Sequence, residues 1–63
     1  MTVGQNIKRL RTQAGLSQRA LALALGTTQN QVFLWETEKF QPSLASFGQL
    51  CEFFKCDARD LLL

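Results

Sequence analysis

Apolar residues recur at three- and four-residue spacing near the start of the chain: Val3, Ile7, Leu10 and Ala14, with Lys8, Arg9 and Thr12 between them. That spacing puts an apolar stripe and a polar face on one helix, roughly Val3 to Gln13. Gly15 follows, and glycine accepts the left-handed conformation that closes a helix. Leu16 then returns to the interior. Ser17 suits an N-cap, because its hydroxyl accepts a backbone N–H left free at a helix start. A second helix runs from there to about Ala24, with Leu21, Ala22 and Leu25 inward, and Gly26 stops it. Thr28 caps a third helix, about Gln29 to Thr37, which turns Val32, Trp35 and part of Leu34 to the core. Pro42-Ser43 restarts the chain, and Ser43 caps a fourth helix carrying Leu44, Phe47, Leu50, Cys51 and Phe54. Asp57 caps a short fifth helix ending in Leu61-Leu62-Leu63. No segment alternates with period two between turn signals, so no sheet is expected. The pattern predicts an all-α fold of five helices around Leu10, Leu21, Val32, Trp35, Leu44, Phe47, Leu50 and Phe54.

Length and composition narrow the classes. The 63 residues suffice for one domain, residues 1–63, with one small core. A hydrophobic share of 46% with 19% charged residues is that of a globular chain. No apolar run approaches the roughly 18 residues of a membrane helix. The start, Met1-Thr2-Val3-Gly4-Gln5, has neither the charged nor the apolar region of a signal peptide. A soluble, cytoplasmic protein with no membrane partner is therefore expected. Histidine is absent, and the two cysteines, Cys51 and Cys56, fall short of the about four ligands of a closed zinc site. No metal and no other cofactor is expected, and the thiols read as small buried hydrophobes. With no glycine-rich phosphate loop and no acid pair in an evident pocket, neither an enzyme nor a small-molecule substrate is expected.

Charge changes the picture through its distribution. The formal net charge is only +2. Up to Trp35, however, there are four basic residues (Lys8, Arg9, Arg11, Arg19) and no acidic one. From Glu36 onward there are three basic residues (Lys39, Lys55, Arg59) and five acidic ones. The N-terminal half is the half suited to a polyanion.

Leu25-Gly26-Thr27 separates two short helices, which must then cross at a large angle. Leu21 and Ala22 on one and Val32 and Trp35 on the other supply the apolar crossing. This is the arrangement of a helix-turn-helix, whose second helix fits a DNA major groove about 12 Å wide. The outward residues of that helix begin Gln29-Asn30-Gln31. Amide side chains donate and accept at once, so they can pair with adenine in a bidentate way.

The run Leu16-Ser17-Gln18-Arg19-Ala20-Leu21-Ala22, then Leu25-Gly26-Thr27-Thr28-Gln29, Glu36 and Pro42-Ser43-Leu44 resembles the Cro/C1-type helix-turn-helix family. These are phage repressors and bacterial regulators of the lambda-repressor-like fold, and the likeness extends from Ile7 to Leu62. It implies double-stranded DNA as partner, a repressor or regulator as function, and a homodimer assembled on the duplex. Thr28, Gln29, Asn30 and Leu34 take base-contacting positions. Gln18, Arg19, Thr37, Lys39 and Gln41 take phosphate-contacting positions, those beyond Glu36 in a second phosphate-binding stretch of backbone. Arg11 and Glu36 take the places of a partly buried ion pair between the first and third helices. For the dimer contact, Phe53 and the Leu61-Leu62-Leu63 end are the candidates.

The departures from that family are specific. Glu38 stands where a glycine is usual, in a turn that favours positive φ. Phe40 replaces a position that is often basic, and Lys55 replaces a helix-ending glycine. Leu23, Phe33 and Leu34 are apolar where polar residues are usual. This apolar outer surface supplies the alternative function, a protein-interaction module that kept the fold and lost its operator.

Overall fold

Five side chains at five helix starts organise the chain. Thr2 accepts from the Gln5 amide while the Gln5 side chain accepts from the Thr2 amide, closing a reciprocal cap. Ser17, Thr28 and Ser43 accept from the amides of Ala20, Gln31 and Ser46. Asp57 accepts from Arg59. The computed structural model describes all 63 residues. They form α1 (Val3–Gln13), α2 (Gln18–Leu25), α3 (Gln29–Glu36), α4 (Leu44–Phe54) and α5 (Ala58–Leu62), with no strand.

Two helix ends differ from expectation by one residue. The second helix continues through Leu25, because Gly26 itself adopts the left-handed cap at φ 71°. The third ends at Glu36; Thr37 is its C-cap and turns its hydroxyl back onto the Phe33 carbonyl at 2.8 Å. Ala14, expected on the apolar stripe of α1, is instead the exposed C-cap of that helix.

The core consists of Ile7, Leu21, Ala22, Leu25, Val32, Trp35, Leu50 and Leu61. Leu10, Phe47 and Phe54 pack against it half-buried, together with both free thiols, Cys51 and Cys56. Burial holds the Cys56 thiol above its ordinary range, so it stays neutral and behaves as a small apolar group. Leu44 is not in the core; it is 90% exposed. It opens the first turn of α4, where no neighbouring helix covers it.

α2 packs on α3, α1 crosses α3, and α5 closes against α1 and α4. Two features of α1 make these crossings possible. At Gly4 an added Cβ would lie 2.4 Å from the Trp35 carbonyl oxygen and 3.0 Å from that of Glu36. Only a glycine lets the first turn of α1 reach the last turn of α3. Two residues on, the buried Asn6 donates from Nδ2 to the Leu61 carbonyl at 2.8 Å, tying α1 to α5. That bond satisfies a polar group which would be costly to bury alone.

Candidate nucleic-acid interface

α3 is divided lengthwise. Val32 and Trp35 are buried beneath it. Gln29, Asn30 and Phe33 stand exposed on the other side, with Gln31 and Leu34 half-buried at the margins. Thr28 is exposed at the N-terminus and is engaged as the cap. The four expected base-contacting residues, Thr28, Gln29, Asn30 and Leu34, therefore lie along one helix that α2 props from behind.

The start of α2 provides one flank. Arg19 is exposed there, and Gln18 is half-buried. Gln18 Nε2 donates to Glu36 Oε1 at 3.1 Å. An amide nitrogen carries two protons, so one remains for an outside acceptor. Glu36 is in turn held by Arg11: Nε donates to Oε2 at 2.7 Å and Nη2 to Oε1 at 3.1 Å. Arg11 Nη1 also donates to the Leu16 carbonyl at 2.8 Å, fixing the chain just ahead of α2. The negative charge nearest to α2 is thus matched by a guanidinium and shielded, the two side chains being 11% and 3% exposed.

The turn after α3 provides the other flank, in a form the sequence did not disclose. Its backbone amides face inward: Thr37 donates to Phe33, Glu38 to Trp35, and Lys39 and Phe40 both to the Leu34 carbonyl. The Thr37 hydroxyl proton is engaged as well. The donors left for an anion at this turn are the side chains of Lys39 and Gln41, both exposed, and the Gln41 backbone amide. Gln41 Nε2 donates to Glu38 Oε2 at 3.3 Å and keeps its second proton.

Glu38 adopts φ 66° and Lys55 φ 53°, the left-handed region that disfavours residues with a Cβ. These are the two positions where the Cro/C1-type pattern has glycine. The Thr2 hydroxyl, the Gly4 amide and the Gln41 amide hold the Glu38 carboxyl below the usual carboxylate range. The sequence signals for Gly4, Asn6 and the Glu38 side chain were weak, since each acts on a residue more than 30 positions away.

The outer surface is apolar in places. Leu23 is 73% exposed, Phe40 61% and Phe33 44%. At the far end, Phe53, Leu62 and Leu63 are exposed, but Leu61 is fully buried in the core and cannot form an intermolecular contact.

A crystal structure of the P22 c2 repressor protein in complex with synthetic operator 9T, in the presence of Tl+, is similar to this chain. The TM-score is 0.91 at 22% identity, over 98% of this chain and 94% of that one. At that identity the likeness concerns the fold. No curated protein matches the chain. No helix is long and apolar enough to cross a membrane. A family model described as helix-turn-helix matches residues 7–61, from the middle of α1 to the buried Leu61 of α5, and the chain belongs to that helix-turn-helix family.

Proposed function

We propose that this chain binds double-stranded DNA sequence-specifically, as a transcriptional repressor or regulator, with α3 in the major groove. The observation that carries this is the exposed amide pair Gln29–Asn30 at the start of a helix whose opposite face is buried. Gln29 and Asn30 read base edges, and Leu34 packs on a thymine methyl. Gln18 and Arg19 at one flank and Lys39 and Gln41 at the other hold phosphates, which set the register of the helix on the duplex. The c2 repressor of similar fold was crystallised with an operator, which agrees with this assignment. The chain acts by binding and not by catalysis.

A domain this small covers half a site. Two copies bind half-sites one helical turn apart, about 34–36 Å, and meet through Phe53, Leu62 and Leu63. Selection of sites from random duplexes at a stated salt concentration tests the function: a shared half-site motif supports it, and an unenriched pool removes it. The exposed Leu23, Phe33 and Phe40 favour a second function, docking of a protein on this same face. Loss of a protein partner in Phe33→Ala, with duplexes ignored throughout, would establish that one instead.

A further inference from the structure

We propose that Glu38 is a positioning residue for the DNA backbone: its carboxylate latches the turn after α3 to the start of α1 and so directs Lys39 and Gln41 outward. This rests on the DNA-binding function above and names the residue that builds one of its flanks. Three observations converge. Glu38 has a left-handed backbone that its Cβ resists. Its side chain makes one tertiary and one local bond that hold it there: Oε1 accepts from the Gly4 amide at 3.2 Å, and Oε2 accepts from Gln41 Nε2, three residues on, at 3.3 Å. And Gly4 is the position on α1 where so close an approach is possible, because any Cβ would strike the Trp35 carbonyl.

The chemistry suits the place. The amides of a first helical turn lack partners within the helix and carry its positive end, so a carboxylate there is both bonded and partly offset. An unmatched carboxylate beside a phosphate-binding turn would repel the duplex. Because the backbone amides of residues 37–40 donate inward, contact at this flank depends on where the turn presents residues 39 and 41: the Lys39 and Gln41 side chains and the free Gln41 amide. Their direction follows from the turn at Glu38. A glycine would accept the backbone conformation but could not tie the turn to α1.

The test compares Glu38→Gln with Glu38→Gly. Both lack the charge, so electrostatic relief toward DNA cancels between them. Glutamine keeps a carbonyl that can accept from Gly4; glycine keeps only the backbone freedom. The probe is a random-sequence duplex of about 20 base pairs, or two helical turns, at ~50 mM salt. Glu38→Gln should bind about three- to tenfold more tightly than Glu38→Gly. In the free proteins, the Gly4 amide should exchange with solvent about tenfold faster in Glu38→Gly. Equal affinities in two folded variants would overturn the positioning role, and equal exchange would overturn the latch itself. A wild-type protein that ignores the duplex removes the DNA-binding function and the phosphate-directed half of this proposal together. The exchange comparison then still decides the latch.

Discussion

Glu36 holds one edge of the Arg11 guanidinium, Nε and Nη2, across 25 residues of sequence, with contacts of 2.7 and 3.1 Å. A second acceptor for Arg11, the Leu16 carbonyl, and a second donor to Glu36, the Gln18 amide, complete the cluster. The last turn of α3 is thereby joined to α1 and to the start of α2. Few lone pairs or protons of the pair are left without partners, which is the condition under which a shielded ion pair is tolerable.

Removing one partner should therefore cost more than removing both. Arg11→Ala or Glu36→Ala alone leaves a charge stranded, at about 3–5 kcal/mol for a fully buried pair and less with the small exposure seen here. Arg11→Met with Glu36→Leu should lose less than either. Urea denaturation of the full double-mutant cycle measures this, and strictly additive losses would contradict it.

Two glycines should respond oppositely to alanine. Gly4→Ala places a Cβ against backbone atoms of Trp35 and Glu36, which cannot swing away. A loss of about 1–3 kcal/mol is expected, as for an overpacked core. Gly48, inside α4, has open space around it. Gly48→Ala should stabilise by roughly 0.5–1 kcal/mol through helix propensity. Thermal melts of the two variants against wild type decide it.

Acid should weaken the wild type more than Glu38→Gln. The Thr2 hydroxyl and the Gly4 and Gln41 amides lower the Glu38 carboxyl below its ordinary 4.5 in the folded state. Its contribution is then present above the unfolded value and is lost as pH falls through the folded one. The unfolding free energy of the wild type should drop relative to that of the variant as pH falls through and below the ordinary carboxylate range. Carboxylates common to both proteins cancel in the difference. Parallel pH profiles would show that the side-chain contacts add nothing to stability.

Substitutions at the interface should separate by chemistry. Gln29→Ala or Asn30→Ala should cost about 1–3 kcal/mol on the selected sequence and flatten preference at one base position. Lys39→Ala should weaken binding to all duplexes and reduce the salt slope by roughly one ion. Gln18→Ala should also act on all sequences but leave the slope nearly unchanged, since an amide releases no counterion. Titrations over a salt series distinguish the three. A Gln29→Ala protein with unaltered base preference would remove Gln29 from the readout.

Much of the fold is legible in the amino-acid sequence. Caps and stops act within four residues of themselves, so Ser17, Thr28, Ser43 and Asp57 are visible as helix starts and Gly15 and Gly26 as stops. The helical period likewise marks Leu21, Val32, Trp35 and Leu50 for the interior, where they lie. The same period misplaces Leu44, because periodicity records which face of a helix is apolar and not where the neighbouring surface ends.

Residues close along the chain dictate the five helices, their order, the turn between the second and third, and the amide-rich face that follows it. Each of these can be read from the sequence because the interactions behind it are local. Helix packing, in contrast, makes Gly4 a crossing point and joins Asn6 to Leu61 across the two ends of the chain. It also lets a glutamate occupy a left-handed position, by carrying its carboxylate to a helix 34 residues away. No local rule encodes such a contact, because its partners become neighbours only after the helices have packed.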